Sequence, residues 1–233
     1  MREAFAEKLL EIEQQLADGF EEVGRTLGAV AETILDPARQ HAARLVAAAN
    51  ILRATSREVD ARLVAVAALQ APVAGDLRLV LSLIQVAQHA ALIANQFELI
   101  SEQLYELDPD ARDPQQTAGQ LSLMTELAGR QVQHAVRAFV ARDAESATEL
   151  QHEDDALDRL NRQVFEATYA LNGNHGEREL AMRYVLIARS LERIGDNAVD
   201  IAEQAVFLVT AQLQQFTDAS RPKPRGGQDP DNR

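Results

Sequence analysis

Apolar residues recur along most of this chain at alternating steps of three and four, the period of an amphipathic helix. No stretch sustains the step of two that marks a half-buried strand. The last long run shows the pattern: Ile187, Leu191, Ile194, Ala198, Ile201, Ala205 and Leu208 form one stripe. Helix breaks are few. Asp36-Pro37 reads as an N-cap followed by proline at the first helical position. Ala71-Pro72 ends one helix and starts the next, because the residue before a proline avoids the helical region. Leu107-Asp108-Pro109 stops a helix and Asp113-Pro114 starts another. Arg142-Asp143 is a joint with Asp143 as cap, and Asn172-Gly173-Asn174-His175-Gly176 is a turn by composition. These breaks predict six helices, at 4–35, 38–70, 73–106, 114–141, 144–171 and 177–215.

Long helices joined by such short connections fold back on their neighbours as antiparallel hairpins. Three helices, a polar joint at 108–113 and three more helices make an internal repeat. The pattern predicts an all-α protein of two tandem antiparallel three-helix bundles sharing a wall, residues 1–107 and 108–216. One continuous bundle and intermolecular coiled coils are the alternatives. Residues 217–233, rich in Pro, Gly and charge, read as a disordered tail.

Composition narrows the chemistry. With no cysteine there are no disulfides and no thiolate metal sites, so any metal must be a hard or borderline ion held by carboxylate or imidazole. A net charge of −13 disfavours nucleic acid and anionic lipid as partners. The segment Met1 to Lys8 lacks the apolar centre and cleavage site of a signal peptide. No uninterrupted apolar run approaches the roughly 18 to 20 residues of a membrane span. The expectation is a soluble, cytoplasmic protein whose contact with a membrane is only indirect, through partners.

The last helix carries an acidic shoulder. At about 100° per residue, Glu192, Asp196, Asp200 and Glu203 fall within an arc of about 80°. That arc borders the small or apolar Ala188, Gly195, Val199 and Val206. Acids four apart on one face repel by a few tenths of a kcal/mol, so something should offset them. The fifth helix offers a second row, Glu153, Asp154, Asp155 and Asp158. Packed antiparallel, Asp154, Asp158, Glu192 and Asp196 could face one another as the carboxylate set of a divalent or ferric ion, with Asp200 and Glu203 as outer candidates. The other reading is a solvated flank, with Arg189 pairing Glu192 and Arg193 pairing Asp196.

His41, His89, His134 and His175 are scattered, and His152 adjoins the acidic row without forming a spaced zinc-type pair. The sequence shows no Gly-rich phosphate cradle and no nucleophile–base arrangement. It gives no argument for catalysis.

Two stretches together resemble the PhoU family, over about Glu7 to Gln212. Pro72-Val73-Ala74-Gly75-Asp76-Leu77-Arg78 looks like that family's Pro-x-Ala-x-Asp-Leu-Arg corner. Glu192-Arg193-Ile194-Gly195-Asp196-Asn197-Ala198 looks like its Glu-Arg-Ile-Gly-Asp-x-Ala signature. Pro72 sets the corner, Asp76 suits the positive end of the third helix, and Arg78 is placed to pair across to the second helix as a lock. Gly195 lets a neighbouring helix approach.

The resemblance implies a non-enzymatic cytoplasmic regulator of phosphate homeostasis, and a homodimer. Such a regulator contacts the ATPase subunit of the phosphate ABC transporter and a phosphate-sensing histidine kinase. It represses phosphate-starvation genes and restrains uptake, with no required cofactor. It also implies acid-x-x-x-acid metal clusters in both repeats of some members. This chain departs from them in the first half, where Ala91 and Asn95 stand at the matching positions, Ser56 replaces an acid and Asp60 remains. Metal is therefore expected, if anywhere, in the second repeat. A carboxylate-bridged metal-binding protein and a generic helical adaptor are the alternative readings.

Overall fold

The computed structural model describes residues 2–31, 38–69, 75–108, 117–213 and 216. Six helices fill them: α1 (Arg2–Ala31), α2 (Ala38–Leu69), α3 (Gly75–Tyr105), α4 (Ala118–Ala141), α5 (Ala144–Tyr169) and α6 (His175–Thr210). Among the described residues there is no strand. The expected breaks at Asp36-Pro37, Ala71-Pro72 and Pro109 to Pro114 lie outside them, as does the expected tail from 217 to 233.

Two joints show their chemistry. Asp143 caps α5, its side chain accepting from the Ser146 N–H at 3.0 Å. The residue before it, Arg142, closes α4 in the left-handed region with φ 58°. At the other joint α6 starts at His175, inside the stretch that reads as a turn. The Asn174 side chain accepts from Glu177 N–H while Glu177 Oε2 accepts from Asn174 N–H, a reciprocal cap that recruits His175 and Gly176 into the first turn.

The two triplets are built differently. In the second, each of α4, α5 and α6 packs on the other two. In the first, α2 packs on both α1 and α3, while α1 and α3 meet only sparingly. Their free flanks are covered from the other repeat, α1 by α4 and α3 by α6. One apolar core therefore runs from Phe5, Leu9 and Ile12 through Phe97 and Ile100 to Ile194, Ile201 and Val206.

Both seams are specific. On the α1–α4 seam, a Cβ added to Gly129 would stand 3.1 Å from Leu27 Cβ and 3.6 Å from the Gly24 carbonyl, so the absent side chain is what permits the crossing. On the α3–α6 seam, Arg183 donates to Glu106 at 2.6 Å and Gln103 at 3.3 Å, and the two carboxylates it meets, Glu179 and Glu106, hold its pKa above the ordinary value. Helix α3 is the one described helix long and apolar enough to cross a membrane by length and composition, with a mean hydropathy of 1.6. Here that apolarity is used between α2 and α6, where Leu83, Ile93, Phe97 and Ile100 are fully buried.

Candidate functional site

Helix α6 turns its predicted stripe inward: Ile187, Leu191, Ile194, Ala198, Ile201 and Ala205 are buried, and Leu208 is half-buried. The acidic shoulder is not a uniform solvated face. Glu192 is only 2 % exposed, and Asp154 and Asp158 on α5 are buried too, whereas Asp196, Asp200 and Glu203 are half-buried. Glu192 keeps the partner expected of it on a plain flank, since its Oε1 accepts from the Arg189 guanidinium three residues away. Arg193 is exposed, and its carbonyl accepts from the Asn197 side chain at 2.6 Å.

Gly195 sits at the centre of this face. An added Cβ there would meet Gln131 Oε1 of α4 and Leu157 Cδ2 of α5 at 2.6 Å, and Asp154 Oδ1 at 2.9 Å. The glycine thus lets two helices press side chains against the α6 backbone, Asp154 among them. The outer acids go elsewhere. Asp200 faces His89 of α3, whose Nδ1 is 3.8 Å from its Oδ2 and 2.9 Å from Asn197 Oδ1. Glu203 Oε1 accepts the Phe216 N–H at 2.6 Å, anchoring the chain after α6.

Among the described residues no three His, Asp or Glu side chains stand together as a group able to hold an ion. Asp154 reaches the α6 backbone at Gly195, and Glu192 meets Arg189.

The first-half counterpart has been turned to helix stitching. Ser56 donates from α2 to the Ala87 carbonyl of α3 at 2.7 Å. Arg53 donates to Glu98 at 2.7 Å and to Asn95 at 3.1 Å, and its hydrogen bond holds the Glu98 carboxyl below the ordinary carboxylate value. Asp60 is half-buried, and burial pushes its pKa up.

The corner motif is placed only in part. Pro72 lies outside the described residues. Asp76 is in the first turn of α3 and half-buried, as expected of an acid at a positive helix end. Among the described residues no ion pair ties Arg78 to α2, and its Nε is buried without a hydrogen-bond partner. The reason lies in α2, whose last two turns, Leu63 to Leu69, contain no acid.

One grouping escaped the sequence reading. His134 of α4 meets Ser146 and Glu153 of α5. Hairpin arithmetic gave part of the signal, since His134 and Glu153 are nearly equidistant from the Arg142-Asp143 joint, but Ser146, much nearer the joint, is not found that way.

Comparison with known proteins completes the picture. A family model described as the PhoU domain matches residues 121–205, which contain the Glu192 to Ala198 motif and most of α4 to α6. A relative named phosphate-specific transport system accessory protein PhoU homolog 1, from Methanothermobacter thermautotrophicus, is 30% identical over 155 residues, 66% of this chain and 70% of that protein. The chain belongs to the PhoU family. PhoU homolog 2 of Mycobacterium tuberculosis is 27% identical over 220 residues, 90% of this chain and 98% of the relative. The PhoU crystal structure from Streptococcus pneumoniae superposes with a TM-score of 0.80 at 20% identity, over 91% of this chain and 99% of that one. PhoU from Pseudomonas aeruginosa gives 0.80 at 22%, over 89% and 100%. Both share the PhoU helical fold seen here.

Proposed function

We propose that this PhoU-family protein is a cytoplasmic, non-enzymatic accessory regulator of a phosphate transport system. It restrains phosphate uptake and represses the phosphate-starvation response by docking helical surfaces on the transporter's ATPase subunit and on a sensor histidine kinase, and it works as a homodimer. The observation that carries this reading is the length of the match. Relatives named as phosphate-transport accessory proteins align over much of their length, 70% for the Methanothermobacter thermautotrophicus homolog 1 and 98% for the Mycobacterium tuberculosis homolog 2. The first repeat, stitched by Ser56 and Arg53, and the second, closed around Gly195, then act as two supports for a single docking body.

The test is a gene deletion grown in excess phosphate, followed with a phosphate-starvation reporter and radiolabelled phosphate uptake. Derepression and raised uptake, both restored by the wild-type gene, are the expected result. Unchanged reporter and uptake in a strain without a second PhoU gene would overturn the reading.

A further inference from the structure

His134 Nε2 lies 2.8 Å from Ser146 Oγ, and His134 Nδ1 lies 3.0 Å from Glu153 Oε1. A carboxylate only accepts, so Glu153 requires the proton of a neutral His134 to be on Nδ1, and Nε2 is then left to accept from the serine hydroxyl. That is the connectivity of a nucleophile, a base and an orienting acid. We infer that Ser146, His134 and Glu153 form a nucleophilic serine site able to take an acyl group from a small neutral carboxylic ester. This inference departs from the non-enzymatic part of the reading above, while the docking and regulatory part does not depend on it.

Three features of the site support it. Ser146 is the third residue of α5 and its own N–H is taken by the Asp143 cap, while the N–H groups of Ala144 and Glu145 just before it have no carbonyl within the helix to bond. Side chains on a helix lean toward its N-terminus, so Ser146 Oγ leans toward those two N–H groups, the donors a developing oxyanion would meet. Ser146 and His134 are half-buried and Glu153 is exposed, so a small ester reaches the hydroxyl without any opening of the fold. Asp143, Glu145, Glu149 and Glu153 lie around Ser146, all exposed, and would repel an anionic phosphoryl or carboxylate substrate. The chemistry left to the site is neutral acyl transfer.

The step balances without a co-reactant other than water. Ser146 Oγ bonds to the ester carbonyl carbon as its proton passes to His134 Nε2. The carbon–oxygen bond to the leaving alcohol breaks, and that alcohol leaves with the proton from His134. Water, deprotonated by His134, then cleaves the acyl-serine, releasing the acid and returning the proton to Ser146.

A clip that merely ties α5 to α4 would make the same hydrogen bonds, so the readout must be reactivity. The full chain is incubated with p-nitrophenyl acetate, nitrophenolate release is followed, and the acetyl adduct is mapped by peptide mass spectrometry. The expected result is acetylation of Ser146 well ahead of Ser122, which is half-buried on α4 without such a base. Ser146→Ala, which suits a helix, abolishes that adduct, and His134→Gln slows its formation by about 100-fold with the melting curve retained. The inference is overturned if the acetyl group is found on Lys8 or the terminal amine but not on Ser146. It is equally overturned if a folded His134→Gln acetylates Ser146 at the wild-type rate. Should His134→Gln not fold, the wild-type adduct map decides alone.

Discussion

Arg142, held in the left-handed backbone region between α4 and α5, reaches across the repeat boundary and binds both carboxylate oxygens of Glu13 on α1. Glu13 is 4 % exposed, and the second of the two bonds is 2.9 Å. The guanidinium also donates to the Phe139 carbonyl and lies over the Phe139 ring. A backbone conformation that disfavours any side chain is thus held by a residue whose side chain joins the two halves of the molecule.

Glu13→Ala and Arg142→Ala should each destabilise the protein by roughly 2–3 kcal/mol, because either leaves a charge or a buried polar site unpaired. That corresponds to about 5–10 °C in melting temperature for a chain of this length. Arg142→Gly removes the left-handed strain but also the pair, and should fall between Arg142→Ala and wild type. A thermal melt of each, with the Glu13/Arg142 double alanine, checks it: the double variant should lose less than the sum of the singles. Simple additivity would mean the pair couples nothing.

Gly195→Ala should cost about 1–3 kcal/mol, since the new methyl meets Leu157, Asp154 and Gln131 inside contact distance and three packed helices must shift. Denaturant unfolding measures it. A stability equal to wild type would show that the Gly in the Glu-Arg-Ile-Gly-Asp motif serves something other than helix approach.

Two carboxylates titrate with opposite sign. Asp60 has its pKa raised by burial, so ionising it at neutral pH costs the folded state and not the unfolded one. Asp60→Asn should therefore raise the melting temperature at pH 7. That gain shrinks as pH falls through the raised value and vanishes below the unfolded carboxyl's, about 3.9. Glu98, held low by Arg53, contributes stability that is present above about 4.3 and is lost as pH falls through its lowered value. The pair is partly exposed and is worth under about 1 kcal/mol. Melts across pH 3 to 7 that moved the same way for Asp60→Asn and Arg53→Ala would contradict this assignment.

Arg78→Ala should leave the melting temperature within about 2 °C of wild type, because no ion pair with a described residue is lost, only the packing of the side-chain stem. A large drop would reinstate Arg78 as a structural lock. If the variant melts as wild type but fails to complement the deletion strain, Arg78 belongs to a docking surface.

Metal removal should change little. With Glu192 engaged by Arg189 and no convergent donor group among the described residues, dialysis against EDTA should leave the melting curve unchanged, and elemental analysis should find no stoichiometric iron, manganese or zinc. One ion per chain, lost in Asp154→Asn with Glu192→Gln, would reverse that.

The sequence by itself determined that there are six helices, the joint at Asp143 and the family, though it ran the last helix to 215 where α6 ends at Thr210. Steps of three and four, the Asp143 cap and two spaced motifs are local or near-local signals, each written in a few consecutive residues. Its misjudgement at His175 was local too: a capping box competes with turn composition, and Asn174 with Glu177 won. Tertiary structure alone decided which polar residues meet. Glu13 and Arg142 are on different repeats, and nothing in either one's neighbourhood names the other. The solvated-flank reading of Glu192 was right about Arg189 and wrong about burial, because exposure depends on how α4 and α5 press upon Gly195. Ser146, His134 and Glu153 come together only when the α4–α5 hairpin closes with a particular register. A helix is specified by the sequence that forms it. A site on helices is specified by the crossings between them, and those are set by the whole core.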